Sequence, residues 1–201
     1  AIVGARRFLD RVWRLVGESL EALAAVTPYT GDGADLSGPA KAVWRKTHQT
    51  VRKVTADIDQ SWQFNTAVAA VMELTNALAD LPRTPEAAPV LGLALETTVR
   101  LLAPFVPHVA EELWEALGHE PSVLAAGWPE FSEAACREDE VEIAIQVNGK
   151  LRAHLTVAAG APEDAVREAA LANDRVKDAI GAATVRKVIV IPGRLVNIVA
   201  K

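Results

Sequence analysis

Apolar residues recur at helical spacing from residue 4 to about residue 117, and from Glu140 onward the period shortens to two. Phe8, Val12, Leu15, Val16 and Leu23 predict a helix over 4–25. Trp44, Thr47, Val51, Val54 and Ile58 form the inner stripe of a second, over 40–59. A third spans 61–78, with Ser61 as its N-cap and Phe64, Val68, Val71, Met72, Leu74 and Leu78 on its buried side. A fourth covers about 90–102, and a fifth, 108–117, is closed by Gly118. Between them lie "TPYTGDGADLSGP" (27–39) and the proline-broken "LPRTPEAAP" (81–89), both loop chemistry. Five helices with short breaks argue an antiparallel bundle.

In the tail, Val141, Ile143, Ile145 and Val147 alternate with polar or small residues, and so do Leu151, Ala153, Leu155 and Val157. A plain two-residue turn at Asn148-Gly149 would pair Val147 with Lys150 and mix apolar with basic side chains on one face. A three-residue loop, Asn148-Gly149-Lys150, or an equivalent bulge, brings Val147 to Leu151, Ile145 to Ala153, Ile143 to Leu155 and Val141 to Val157. Lys150 then sits at the tip, and Arg152 and His154 turn away from the core. Residues 161–181 read as helix, with Pro162 in its first turn, Gly181 as its stop and Asn173 as a possible division. "TVRKVIVI" and "LVNIVA" follow as two strands around Pro192-Gly193-Arg194, pairing Val190 with Val196 and Val188 with Ile198. The fold class is therefore α+β in more than one domain. A helical bundle covers 1–131, a short polar and acidic hinge 132–140, and a small ββαββ domain 141–201, whose antiparallel sheet carries helix on one face and leaves the other free.

The net charge of −5 over 201 residues hides an asymmetry. Residues 1–135 hold 11 basic and 17 acidic side chains, whereas 136–201 hold 10 and 9. No Asp or Glu occurs over 143–162 or 179–201, the stretches containing Lys150, Arg152, His154, Arg186, Lys187, Arg194 and Lys201. Such clustering points to a polyanion or to a solvated sheet face. Two helical stripes, Arg7/Arg11/Arg14 and Lys41/Arg45/His48/Arg52, form a second rank of basic candidates, with Lys46 and Lys53 beside the latter. The single Cys136, in a charged segment with no nearby His, offers no nucleophile and favours a reducing, cytoplasmic setting. His108 with Glu111 and Glu112 lacks the second imidazole that a helical metal site needs, and the two acids read as first-turn residues favoured by the helix dipole. No phosphate-binding glycine loop, metal cluster or membrane-length apolar run is present. Trp13, Trp44, Trp62, Trp114 and Trp128 are read as core, leaving no exposed aromatics set to stack bases.

"GARRFLDRVWRLV", "WQFNTAVAAVMELTNAL" and "LLAPFVPHVAEELWEALG" resemble the helical anticodon-binding domain shared by the leucine, isoleucine, valine and methionine class I aminoacyl-tRNA synthetases. "VEIAIQVNGKLRAHLTV" and "VRKVIVIPGRLVNIVAK", with the helix between them, resemble the C-terminal domain of the bacterial leucyl-tRNA synthetases. Only 27–39 and 82–89 fall outside the resemblance, as variable linkers. It implies the tRNA-positioning part of an enzyme that joins leucine to tRNA-Leu. The catalytic domain, which uses ATP and Mg, and the editing domain are absent from the sequence, and a first residue other than Met fits a C-terminal fragment. The resemblance accordingly implies no catalytic, cofactor-binding or metal-binding residue here and no adenylation by this chain. The implied partners are tRNA-Leu and the rest of the same polypeptide, not DNA or a membrane. On this view Lys150, Arg152, His154, Arg186, Lys187, Arg194 and Lys201 face the tRNA, and Arg7, Arg11, Arg14, Lys41, Arg45 and Arg52 are the second rank. The tail of another class I synthetase, or a free-standing RNA-binding or interaction module, stays open as the alternative.

Overall fold

A computed structural model describes residues 2–137, 140–181 and 183–201, with only the backbone of Glu140. The chain divides into two compact units, Ala1–Arg137 and Glu138–Lys201. The first contains α1 (Ile2–Leu23), α2 (Gly38–Asp59), α3 (Phe64–Asp80), α4 (Ala88–Leu102) and α5 (Pro107–Ala116). The second contains β1 (Glu140–Val147), β2 (Lys150–Ala158), α6 (Glu163–Ala172), α7 (Asp174–Ile180), β3 (Val185–Ile191) and β4 (Leu195–Ala200). Among the described residues, no helix is long and apolar enough to cross a membrane.

The core of the helical unit is the stripe set that the spacing predicts. Val12, Val16, Val51, Val54, Val71, Leu74 and Leu78 are essentially sealed from solvent, together with Leu91, Leu95 and Leu101 of α4. Hydroxyl residues share this interior because each returns its proton to the preceding turn. Ser19, Thr47, Thr75 and Thr98 donate to the carbonyls of Leu15, Val43, Val71 and Ala94 at 2.7–2.9 Å, which removes the penalty for burying them. Gly118, at φ +88°, stops α5 as expected, its N–H donating to the Glu115 carbonyl at 2.8 Å.

Several expectations fail locally. The third helix does not begin at Ser61: Gln63 is the N-cap and Phe64 the first helical residue, because Gln60 to Trp62 make the corner and Gln63 N–H donates to the Asp57 carbonyl. Phe64 is consequently exposed. Of the five tryptophans only Trp44 and Trp114 are core; Trp13, Trp62 and Trp128 are 51%, 75% and 39% exposed. Glu111 lies beyond the first turn of α5, which begins at Pro107. Its carboxylate instead accepts from the Ser122 hydroxyl and from Val123 N–H, tying down the following loop. The segment 27–37 is packed rather than loose: Tyr29 meets the Trp44 ring edge-on and accepts a hydrogen bond from Gly33 N–H. Residues 132–137, assigned by composition to the hinge, belong to the helical unit. Ala135 and Cys136 are buried there, and Gln49 donates to the Cys136 carbonyl at 3.0 Å. Residues 138 and 139 lie outside the described residues.

The second unit is a four-stranded sheet in the order β2-β1-β4-β3 with α6 and α7 on one face. Asn173 does divide the helix, accepting from Arg175 N–H as the N-cap of α7. The sheet is mixed, not antiparallel throughout: each hairpin is antiparallel, but β1 and β4 pair in parallel, Ala144 with Leu195 and Val147 with Ile198. Ile143, Ile145, Val147, Val196 and Ile198 bury against Val166, Ala170 and Val176.

Candidate nucleic-acid interface

The first hairpin resolves its register by the bulge, not by the longer loop. Asn148 and Gly149 both take positive φ (+51° and +77°), the signature of a tight two-residue turn whose twist matches the strands. Val147 therefore pairs with Lys150, and Gln146 with Leu151. The register then shifts, so that Ile145 meets Ala153 and Arg152 is the extra residue. From there Ile143–Leu155 and Val141–Val157 pair as expected. Leu151 is expelled from the predicted core row and is 55% exposed. The second hairpin has the three-residue loop, with Ile191 opposite Leu195, Val190 opposite Val196 and Val188 opposite Ile198. Its far end carries another bulge, with Arg186 as the extra residue between Val185 and Lys187. Both edge strands thus present an arginine at a bulge.

The parallel β1–β4 pair decides how these cations group. The Asn148 side chain donates to the Ala200 carbonyl at 2.9 Å and accepts from Ala200 N–H at 3.0 Å, while its own N–H donates to Ile198. The turn bearing Lys150 is therefore fastened to the end of β4. That end also carries Lys201, whose backbone pairs with Thr184, and the neighbouring Arg186 and Lys187 of β3. Lys150, Arg186, Lys187 and Lys201 share this end of the sheet, with Arg152 one step further along β2. The edge strands that carry them are three strand spacings apart, about 14 Å. Arg194 lies at the opposite end, where its carbonyl accepts from Ala144 N–H. The two hairpin tips are not neighbours.

All seven tail candidates are exposed. His154 pairs with Glu142, diagonal to it on the neighbouring strand, at 3.2 Å. Among the described residues the six Lys and Arg side chains make no ion pair, so they are open to an anionic partner. Beside them, Leu151, Ile189, Ile191 and Val199 leave aliphatic surface open on the face away from α6 and α7. The bulges and charges also prevent the edges from pairing with another strand.

The helical stripes are engaged internally. Arg11 donates to Asn76 at 2.6 Å, Arg14 lies 3.9 Å from Glu18, and Arg52 pairs with Glu133 at 3.1 Å. Lys46 pairs with Glu73 at 2.6 Å and Lys53 with Asp57 at 2.9 Å. Lys41 and Arg45 are half-buried and have interactions of their own. His48 is half-buried against Trp44, its Nδ1 accepts from Ser132 N–H, and burial pulls its pKa below the ordinary imidazole value. Arg7 alone of the first stripe is exposed with neither an ion pair nor a side-chain hydrogen bond among the described residues. Cys136 is buried, and that burial pushes its thiol pKa up against the pull of Arg52.

The acid-free runs located the tail cations but not the role of Asn148, which fastens the first hairpin to β4. The available signal was the Asn-Gly turn itself; its partner, 52 residues away, gave none.

Residues 40–167 match the family described as the anticodon-binding domain of tRNA ligase. The chain is 48% identical over 198 residues to a leucine–tRNA ligase of Geotalea uraniireducens, covering 98% of this chain and 24% of that protein. It is likewise 48% identical over 200 residues to that of Chromohalobacter salexigens, covering 99% and 23%. The chain thus spans about a quarter of the length of these curated relatives. Among solved structures it superimposes with a TM-score of 0.80 and 31% identity on the agnB2 LeuRS of Agrobacterium radiobacter K84, in a ternary complex with tRNA and LeuAMS. That match covers 98% of this chain and 25% of the other. An α+β architecture of helices and a mixed sheet, with matches of this breadth, places the chain in the anticodon-binding domain family of tRNA ligases.

Proposed function

We propose that this chain is the tRNA-holding part of a leucine–tRNA ligase, an enzyme of the cytoplasm that joins leucine to tRNA-Leu with ATP and Mg used in another part of the polypeptide. In this reading the helical unit is an antiparallel bundle of the anticodon-binding type, and the sheet unit is a ββαββ module with its helical segment divided at Asn173. The observation that carries the reading is the set of exposed cations without acidic partners on the sheet unit. Lys150, Arg152, Arg186, Lys187 and Lys201 neutralise phosphates as one group, Arg194 contributes from the other end of the sheet, and His154, midway along β2, would have to exchange Glu142 for phosphate. In the helical unit Arg7 is the strongest candidate. Arg11, Arg14 and Arg52 would have to exchange internal partners for phosphate, and Lys41 and Arg45 would have to emerge from half-buried positions.

The sheet unit has no Phe, Trp or Tyr, so it offers no array of aromatic rings on which to stack splayed bases. It suits a folded RNA surface, read through phosphates and aliphatic contact. Neutralising about five phosphates gives a log–log salt slope near −4. Filter binding of a tRNA-Leu transcript across a salt series tests this, and a flat response would refute it. Crosslinking the transcript and mapping the attached peptides should return residues 148–152 and 184–187. The chain alone should form no leucyl-tRNA.

A further inference from the structure

Asn148 fastens the first hairpin to β4, and the residue after it is the one that leaves an asparagine side chain most open to attack. The amide carbon of an asparagine lies one five-membered ring away from the main-chain nitrogen that follows, and a following glycine has no Cβ to obstruct closure. Of the five asparagines, at 65, 76, 148, 173 and 197, only Asn148 precedes glycine. Both residues of the pair are exposed, and a Cβ built on Gly149 would meet nothing within 4 Å, so the ring and the attacking water have room. Against closure stand the two bonds to Ala200: Asn148 Nδ2 donates at 2.9 Å and Oδ1 accepts at 3.0 Å. Gly149 N–H donates to Asn197 Oδ1 at a long 3.4 Å. The β1–β4 ladder stops at Val147–Ile198, so beyond that rung these side-chain contacts carry the tie. Their opening is a local event that leaves the buried rows of the sheet in place.

We propose that Asn148 is a site of spontaneous deamidation, gated by local opening of its two bonds to Ala200, and that the product weakens the polyanion-binding end of the sheet. The chemistry needs only water. Hydroxide removes the Gly149 N–H proton, and that nitrogen forms a bond to Asn148 Cγ. The Cγ–Nδ2 bond breaks, and the side-chain nitrogen leaves as ammonia with protons from water. The cyclic imide then takes up one water. Opening at Cγ gives aspartate, and opening at the main-chain carbonyl gives isoaspartate. The sum is amide plus water to carboxylate plus ammonium, with no change of oxidation state. Either product exchanges the Nδ2 donor for a negative charge. Aspartate sets an oxygen against the Ala200 carbonyl that Nδ2 had reached. Isoaspartate adds a main-chain methylene to a two-residue turn whose twist is matched to its strands. The new charge sits next to Lys150, at the end of the sheet that also holds Lys201, Arg186 and Lys187. The effect on tRNA rests on the reading given under Proposed function; the deamidation does not.

Peptide mass spectrometry of the 201-residue chain, incubated in warm, mildly alkaline buffer, tests the chemistry. The amide-to-acid mass change should appear in the peptide holding Asn148 and not in those holding the other four asparagines. Two hydrogen bonds of ordinary strength should retard it about thirtyfold relative to the same chain unfolded in urea. No change at Asn148, or a retardation outside roughly tenfold to a hundredfold, overturns the gated site. Asn148→Asp supplies one product in homogeneous form, and Asn148→Gly lacks the side-chain bonds without adding charge. By filter binding, Asn148→Asp should hold a tRNA-Leu transcript about fivefold more weakly than Asn148→Gly at low salt, and the two should converge at high salt. Equal binding at low salt overturns the weakening. Should Asn148→Asp fail to fold, the deamidated fraction of the incubated chain, separated by ion exchange from the intact fraction, replaces it in the same comparison. No binding by the intact chain overturns the tRNA reading and leaves the modification, read by mass, standing.

Discussion

Replacing Asn148 by Ala removes the fastening between the first hairpin and β4. Two side-chain hydrogen bonds to the Ala200 backbone are lost, at 2.9 and 3.0 Å, beside a buried residue. Each is worth about 1 kcal/mol net. The position also sits at φ +51°, where Asn is tolerated and an alanine Cβ costs about 1 kcal/mol more. The sum is roughly 3 kcal/mol against the sheet unit. Asn148→Gly loses the same bonds without the conformational term, so it should cost about 2 kcal/mol. The sheet unit has no Trp, so its unfolding is silent in tryptophan fluorescence. Hydrogen exchange of peptides spanning β1 and β4 reads it directly, and 3 kcal/mol appears there as exchange roughly a hundredfold faster. The urea midpoint read by tryptophan fluorescence should not move, since all five indoles lie in the helical unit. A cost below about 1 kcal/mol for Ala, or equal costs for Ala and Gly, would refute the reasoning.

Lys150→Ala and Arg152→Ala should each weaken tRNA binding by roughly 1 kcal/mol and make the salt slope shallower by about one phosphate, measured by filter binding. Gly33→Ala should destabilise the helical unit by about 2–4 kcal/mol in fluorescence-detected melting, because φ is +80° and the new Cβ would lie 2.5 Å from the Trp44 ring. His48 has its pKa lowered by burial, so the unfolded chain binds its proton more readily. Its contribution is present above the unfolded value of about 6.5 and is lost as pH falls through it; His48→Gln should flatten the melting temperature between about pH 7 and 5. Cys136 should react slowly with a thiol reagent in the native protein and rapidly once urea exposes it, since burial holds the thiol protonated.

The sequence by itself determined the five-helix order, the switch to period two at Glu140 and the strand pairings inside each hairpin away from the first tip, and it offered Asn173 as a point of division. These follow from local chemistry: repeat period, glycine and proline stops, and apolar rows that must face one way. It also located the tail cations, because two runs without a single acid are visible in one dimension. Only the tertiary structure decided which tryptophans stay bare, since an apolar residue such as Trp13 reads the same whether or not a neighbour arrives to cover it. Charge pairing was equally hidden: Arg52 finds Glu133, 81 residues away, and burial lowers the pKa of His48. The first hairpin chose a bulge over a longer loop because a two-residue turn matches strand twist and Arg152 could be spared to the edge. That Lys150 and Lys201 share one end of the sheet while Arg194 occupies the other follows from the parallel pairing of β1 with β4, a contact between residues some 50 positions apart. No local period encodes it.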